Sequence, residues 1–278
     1  MAAGFEVSRE KIESWNHEGY MVVRRLFHAD EVAELSRHFD AIAASGTPIP
    51  RYWEPDLSPE AAGDPLKRYP RVMMPHRWDE LSRRWLLDPR VHDVLVAILG
   101  EEPIATQSMF YFKPPGARGQ AMHQDNFYLQ VKPKTCVAAW TAIDPATPEN
   151  GGLYVVPGTH RMDIVCPEKA DEGDSFTTHF VRAPAGMKAV PTLLEPGDTL
   201  FFNGSLIHGS GPNRSKTMWR RSFICHYMPE GATNISKFYF PLFNFSGAEV
   251  QREASSGGGP CGDQFDTQKF TSDGSRWH

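Results

Sequence analysis

From Ile104 onward the chain breaks into short β-prone runs separated by turn residues, and this pattern narrows its possible folds more than any other feature. The runs are Thr106–Phe112, Ala121–Val131, Thr135–Ile143, Gly152–Val156, Ala189–Leu194, Thr199–Phe202 and Met218–Tyr227. Strands this short, with no helical period between them, predict antiparallel pairing in a sandwich or jelly roll. The 23 Gly and 23 Pro residues supply the many turns such a fold needs.

The first third reads differently. Val32, Leu35, Phe39 and Ile42 recur at spacings of three and four, which predicts a helix over about Asp30–Ala44. A second helix is bounded by its own punctuation. Asp88 is placed to accept N–H bonds at the N-cap, Pro89 sits where its missing N–H costs nothing, and Gly100 suits a left-handed C-terminus. Residues 45–70 form a polar, Pro-rich loop in position to lean over a pocket. The stretch from Ser246, with its Ser-Ser-Gly-Gly-Gly-Pro, predicts an irregular tail.

Composition excludes several function classes. Lys plus Arg number 29 against 34 Asp plus Glu, a formal charge of -5, so a generally basic nucleic-acid binder is not expected. No apolar run approaches the roughly 18 residues of a membrane span, and the opening MAAGFEVSRE carries no signal-peptide pattern, which predicts a cytoplasmic protein. Cys136, Cys166, Cys225 and Cys261 show no CxxC pairing and are expected to be reduced thiols. No feature of the sequence sets an oligomeric state.

Three His-x-Asp triplets occur: His28-Ala29-Asp30, His38-Phe39-Asp40 and His123-Gln124-Asp125. Residues i and i+2 share a face on a strand but lie about 200° apart on a helix. The first two triplets sit at a helix start and within a helix, so only His123 and Asp125, in a strand-like stretch, are expected to point the same way. His208, before the Gly-Ser-Gly-Pro turn, is the best third donor. Two His and one carboxylate form the facial set that holds non-heme Fe(II) with open positions for a chelating co-substrate and O2. A 2-oxo acid would need a fixed cation for its far carboxylate. Arg220 or Arg221 supplies it, and Lys113 on the preceding strand offers a second contact.

The segments FKPPG, MHQDNFY, AAWTAID, NGGLYVVPGTHR, EPGDTLFFNGSLIHGSGPNRS and WRRSFICHY, in this order, resemble the phytanoyl-CoA dioxygenase family of Fe(II)- and 2-oxoglutarate-dependent oxygenases. The opening residues 10–39 fit that family's N-terminal pattern as well. The resemblance implies one oxygenase domain over residues 1–278, mainly β, with a double-stranded β-helix (a cupin-like jelly roll) over 104–230. A largely helical part, 1–103, would pack on that core, and an irregular tail would span 246–278. It implies His123, Asp125 and His208 as iron ligands and Arg220 as the anchor of 2-oxoglutarate, with Lys113, Ser210 and Trp140 beside the co-substrate.

Two details qualify the match. The segment between His208 and the arginine pair is about one residue longer than the commonest family spacing, which favours Arg220 without excluding Arg221. Asp125 keeps the carboxylate that halogenating members of the family lack. The expected reaction is hydroxylation of an unactivated C–H bond in a small molecule, with succinate and CO2 as co-products. A zinc hydrolase on the same ligands and a non-catalytic jelly-roll binding module are the alternatives at this stage.

Overall fold

Helix boundaries in the N-terminal part follow capping chemistry. The computed structural model describes residues 5–255; the distal part of the expected tail, 256–278, lies outside the described residues. Five helices precede the main run of strands: α1 (Arg9–Glu18), α2 (Ala29–Ser45), α3 (Pro65–Arg68), α4 (Glu80–Leu86) and α5 (Pro89–Leu99). The two predicted from sequence, α2 and α5, appear within a residue or so of their expected bounds. At α5 the Asp88 carboxylate accepts from Arg90 N at 2.9 Å, and Gly100 closes the helix with φ 71°. A sixth, one-turn helix, α6 (Asn126–Leu129), lies among the strands.

In chain order the strands are β1 (Tyr20–Val23), β2 (Val72–Met73), β3 (Pro103–Tyr111), β4 (Gln120–His123), β5 (Val137–Ala142), β6 (Leu153–Val155), β7 (Glu168–Lys169) and β8 (His179–Phe180). They continue with β9 (Val190–Pro191), β10 (Thr199–Asn203), β11 (His208–Ser210), β12 (Ser222–Pro229), β13 (Asn234–Ile235), β14 (Leu242–Phe243), β15 (Glu249–Val250) and β16 (Glu253–Ala254). The main sheet runs β1-β10-β5-β12-β3-β14-β15 with β2 added on β3, and a second sheet runs β4-β11-β6-β9. Pairing within both is antiparallel. The chain is thus mainly β, a jelly roll with N-terminal helices packed on it, as expected.

Strands also occur outside the 104–230 stretch. β1 and β2 come from the helical third, because their alternating apolar residues complete an edge of the main sheet and its pairing with β3. At the other end, β14 lies between the expected jelly-roll core and the expected tail, and it pairs antiparallel with β15, which falls inside the stretch expected to be irregular. Cys166 takes part in a disulfide, against the expectation of a reduced thiol, since linear spacing does not reveal which loops meet in space. Cys136 and Cys225 are free and buried, as expected.

The main sheet is buried on both faces, and the two-residue period of a strand sorts its side chains. Phe223, Cys225 and Tyr227 of β12, with Phe110 of β3 and Val137 and Ala139 of β5, pack against Leu35, Phe39, Trp85 and Val91 of the helices. Phe39 stacks on Phe110 with ring centroids 4.0 Å apart. The alternate residues Ile224, Met109, Trp140 and Ala138 face the interior between the sheets, joined by Leu153 and Val155 of the second sheet.

His76 illustrates the cost of this packing. It is buried in the turn Pro75–Arg77 against β3, with Nδ1 2.7 Å from Ser108 Oγ. Its Nε2 has no partner among the described residues. Burial, followed by the charges of Arg77 and Arg83, pushes its imidazole down to about 3. A histidine whose folded pKa lies below its unfolded value of about 6.5 contributes stability that is fully present above that value and is lost as pH falls toward 3. Urea unfolding should therefore show the wild type losing roughly 2 kcal/mol more than His76→Gln between pH 7 and pH 5. Equal losses in the two proteins would contradict the assignment.

Candidate metal centre

The two histidines meet because β4 and β11 pair in register. His208 lies opposite His123 across the antiparallel ladder, with ring centroids 4.2 Å apart. Each ring is oriented by its own backbone. His123 Nδ1 lies 2.8 Å from Ala121 O, and His208 Nδ1 lies 3.0 Å from Leu206 O. A carbonyl only accepts, so both Nδ1 atoms carry the proton and both Nε2 lone pairs face the cavity.

Asp125 arrives by a route the sequence did not reveal. The expected strand Ala121–Val131 ends at His123, and Asp125 takes helical angles (φ -60°, ψ -36°) at the head of α6. Polar side chains break the ladder here by offering the backbone other partners. The Gln124 amide donates to Ser205 O at 2.8 Å and accepts from Val165 N at 2.8 Å. Asn126 bonds Val131 N at 2.9 Å and Val131 O at 3.2 Å, which closes the turn. His123 and Asp125 still converge, through a strand end and a helix start rather than along one strand face.

Asp125 Oδ1 sits 3.3 Å from His123 Nε2 and 3.6 Å from His208 Nε2, and one donor atom from each residue lies within 4.8 Å of the others. All three residues are buried. Burial pushes the His208 imidazole down to about 4, with Asp125 offsetting only part of the effect, so His208 is a neutral donor at physiological pH. At Asp125 burial alone would raise the pKa. The nearby His208 and His226, together with the hydrogen bond from His226, outweigh it and hold the carboxyl well below its ordinary value. Two imidazoles and one carboxylate, oriented before any ion arrives, fit a divalent first-row metal with part of its shell open.

The two arginines separate cleanly. Arg221 turns outward, its fork bidentate on Asp144 at 2.8 Å and a third nitrogen 2.5 Å from Asp40 of α2. Arg220 turns inward and is buried, with Nε 3.1 Å from Gly151 O and one terminal nitrogen 2.8 Å from Ser222 Oγ. Its guanidinium lies over Trp140 at 5.3 Å, and burial pushes its pKa down to about 10.

Lys113 is buried beside it. Lys113 Nζ donates to Gly211 O at 2.6 Å, Ser210 Oγ at 2.8 Å and Gly151 O at 3.0 Å, which uses its three N–H bonds. Burial, then the neighbouring Arg220, drives its pKa well below the ordinary lysine value. Gly151 has φ 78°, and a Cβ there would fall 2.6 Å from Lys113 Cε, so glycine is what lets one carbonyl serve both cations. None of these hydrogen bonds, among the described residues, reaches a carboxylate. Two cations buried side by side with no carboxylate hydrogen-bonded to either, among the described residues, are costly, and the arrangement suits an anionic ligand.

His123, Asp125, His208, Arg220, Ser210 and Trp140 line one cavity. A larger cavity of about 870 Å³ shares Tyr111 and Arg220 with it and is walled by the 51–73 loop and residues 172–178, so the loop does lean over a pocket. His160 and Arg161 pack on the end of α1, where Arg161 donates to Asn16 O at 2.8 Å. Sequence reasoning passed over His226, whose Nε2 lies 2.9 Å from Asp125 Oδ2. Its signal was parity: Arg220, Ile224 and His226 are even-numbered neighbours on or next to β12 and line the same cavity. No helix of the described residues is long and apolar enough to cross a membrane.

A family model described as phytanoyl-CoA dioxygenase (PhyH) matches residues 15–222. The chain is 31% identical over 141 residues to phytanoyl-CoA dioxygenase 1 of Oryza sativa subsp. japonica, covering 50% of each. It is 26% identical over 231 residues to the peroxisomal phytanoyl-CoA dioxygenase of Rattus norvegicus, covering 80% of this chain and 68% of that one. The match thus spans about half the length of the rice relative. The solved structure of EvdO2 from Micromonospora carbonacea var. aurantiaca, complexed with 2-oxoglutarate, shares the fold with a TM-score of 0.61 at 21% identity, covering 82% of this chain and 94% of that one. With residues 15–222 matched, well over half of its 278 residues, the chain belongs to the phytanoyl-CoA dioxygenase family.

Proposed function

We propose that the chain is a single-domain Fe(II)- and 2-oxoglutarate-dependent oxygenase that hydroxylates an unactivated C–H bond of a small molecule. The observation that carries this reading is the coexistence, in one cavity, of an open set of two imidazoles and a carboxylate with the buried, anion-seeking Arg220. A zinc hydrolase would leave Arg220 and Lys113 without a purpose, and a structural metal would not call for open positions. The proposal keeps a cytoplasmic setting, and the net charge of -5 disfavours a nucleic-acid partner.

In this reading His123 and His208 present Nε2, and Asp125 presents Oδ1, to Fe(II). When bound, the iron with 2-oxoglutarate and O2 supplies the oxidising chemistry, with succinate and CO2 as co-products. The guanidinium of Arg220 pairs with the far carboxylate of 2-oxoglutarate, and Trp140 walls that end of the cavity. Ser210 accepts from Lys113 and so keeps its own proton to donate to the co-substrate. Lys113, with every N–H engaged, contributes charge rather than the direct contact its position in sequence suggested. The apolar walls exclude water, and no side chain is needed as a general base.

Two outcomes follow. Asp125→Ala and His208→Ala should each abolish 2-oxoglutarate-dependent succinate release at saturating iron, measured by direct succinate assay, and full activity in either would refute the ligand set. In anaerobic titration of the Fe(II)-loaded protein, Arg220→Ala should weaken 2-oxoglutarate binding by about 30-fold or more, equivalent to roughly 2 kcal/mol for a buried charge pair. Arg221→Ala should stay near wild type there, and the reverse order of effects would reassign the anchor.

A further inference from the structure

Asp125 has two carboxylate oxygens, and only Oδ1 faces the two imidazoles. Oδ2 points the other way, to His226 Nε2 at 2.9 Å. Because a carboxylate only accepts, the imidazole donates this bond. It is the one polar contact of the His226 ring among the described residues, since Nδ1 is buried without a partner. The ring itself is firmly held. His226 is buried on β12, its carbonyl accepts from Thr106 Oγ1 at 2.9 Å, and the β3–β12 register shifts immediately after it. Such irregularities re-aim a side chain relative to a regular strand.

Asp125, by contrast, heads a one-turn helix, and the terminal torsion of an aspartate is broad and roughly two-fold. Its backbone therefore does not fix the plane of the carboxylate. We propose that His226 is a positioning residue that fixes it: by holding one oxygen it leaves only the other facing the metal. Asp125 is kept to one bond, and the adjoining coordination position stays open. The inference rests on the ligand set proposed above. It differs from a purely structural His–Asp pair in predicting that metal affinity depends on the donor and not on the volume of residue 226.

The test compares His226→Met with His226→Gln in the full-length chain, two side chains of similar length of which only glutamine can donate to Oδ2. Fe(II) is titrated anaerobically, with thermal unfolding of the metal-free proteins and an Asp125→Ala control alongside. Loss of an outer hydrogen bond to a metal ligand typically weakens affinity by about 10–100-fold. His226→Met should show that loss, and His226→Gln should return to within about threefold of wild type, with similar midpoints of thermal unfolding. Should the methionine variant not fold, His226→Asn, whose shorter amide does not reach Oδ2, takes its place with the same expected loss. Wild-type affinity in the donor-less variant, or equal weakening in the glutamine variant, would overturn the role of His226 while leaving the ligand set intact. Wild-type affinity in Asp125→Ala would overturn both.

Discussion

The site depends on a main sheet that is buried on both faces. Along β12 odd-numbered residues are committed to the helices, where Phe223 and Tyr227 belong to the same cluster as Phe39 and Trp85. Even-numbered residues are thereby committed to the interior, where Ile224 and His226 line the cavity. A slip of one residue in the β3–β12 register would exchange these sets, placing phenylalanine beside the proposed metal ligands and a histidine in an apolar cluster. The N-terminal helices thus do more than cover the jelly roll: by burying its outer face, they hold the strand phase that points Arg220 and His226 inward. Tyr227 reinforces this, its hydroxyl donating to Leu86 O at 2.7 Å across the layer boundary.

Within that frame the chemistry follows from buried charge. Arg221, one residue from Arg220, is neutralised by Asp144 and Asp40 at the edge of the helical layer. Among the described residues Arg220 and Lys113 have only neutral acceptors as hydrogen-bond partners, and burial lowers the pKa of both. An isolated buried cation is tolerated poorly, and two together more so. In the proposed function a dianionic co-substrate would relieve that cost on binding, and the pocket would favour a ligand of that charge. On the metal side, the backbone carbonyls of Ala121 and Leu206 settle the tautomers of His123 and His208, so little reorganisation accompanies metal binding.

Much of this was legible from residues alone, for identifiable reasons. Helices α2 and α5 carry both an apolar stripe and clear end signals, whereas α1 buries only Trp15 and so shows no stripe to read. The longer strands were found, but two-residue pairings such as β7 with β8 are shorter than any detectable period. The His123–Asp125 pair was found through an argument about strand faces that the local structure does not obey. Gln124 and Asn126 turn the chain into α6, and the side chains converge nonetheless. His226 was passed over because a lone histidine on an apolar strand carries no motif; extending the parity of Arg220 along β12 would have found it.

The most direct test is X-ray absorption on the Fe(II)-loaded chain, recorded anaerobically with and without 2-oxoglutarate. The proposed site predicts a six-coordinate iron with two imidazole nitrogens and light oxygen donors, two of which are replaced when 2-oxoglutarate chelates. A closed four-coordinate shell that 2-oxoglutarate leaves unchanged, or a spectrum without imidazole scattering, would contradict it.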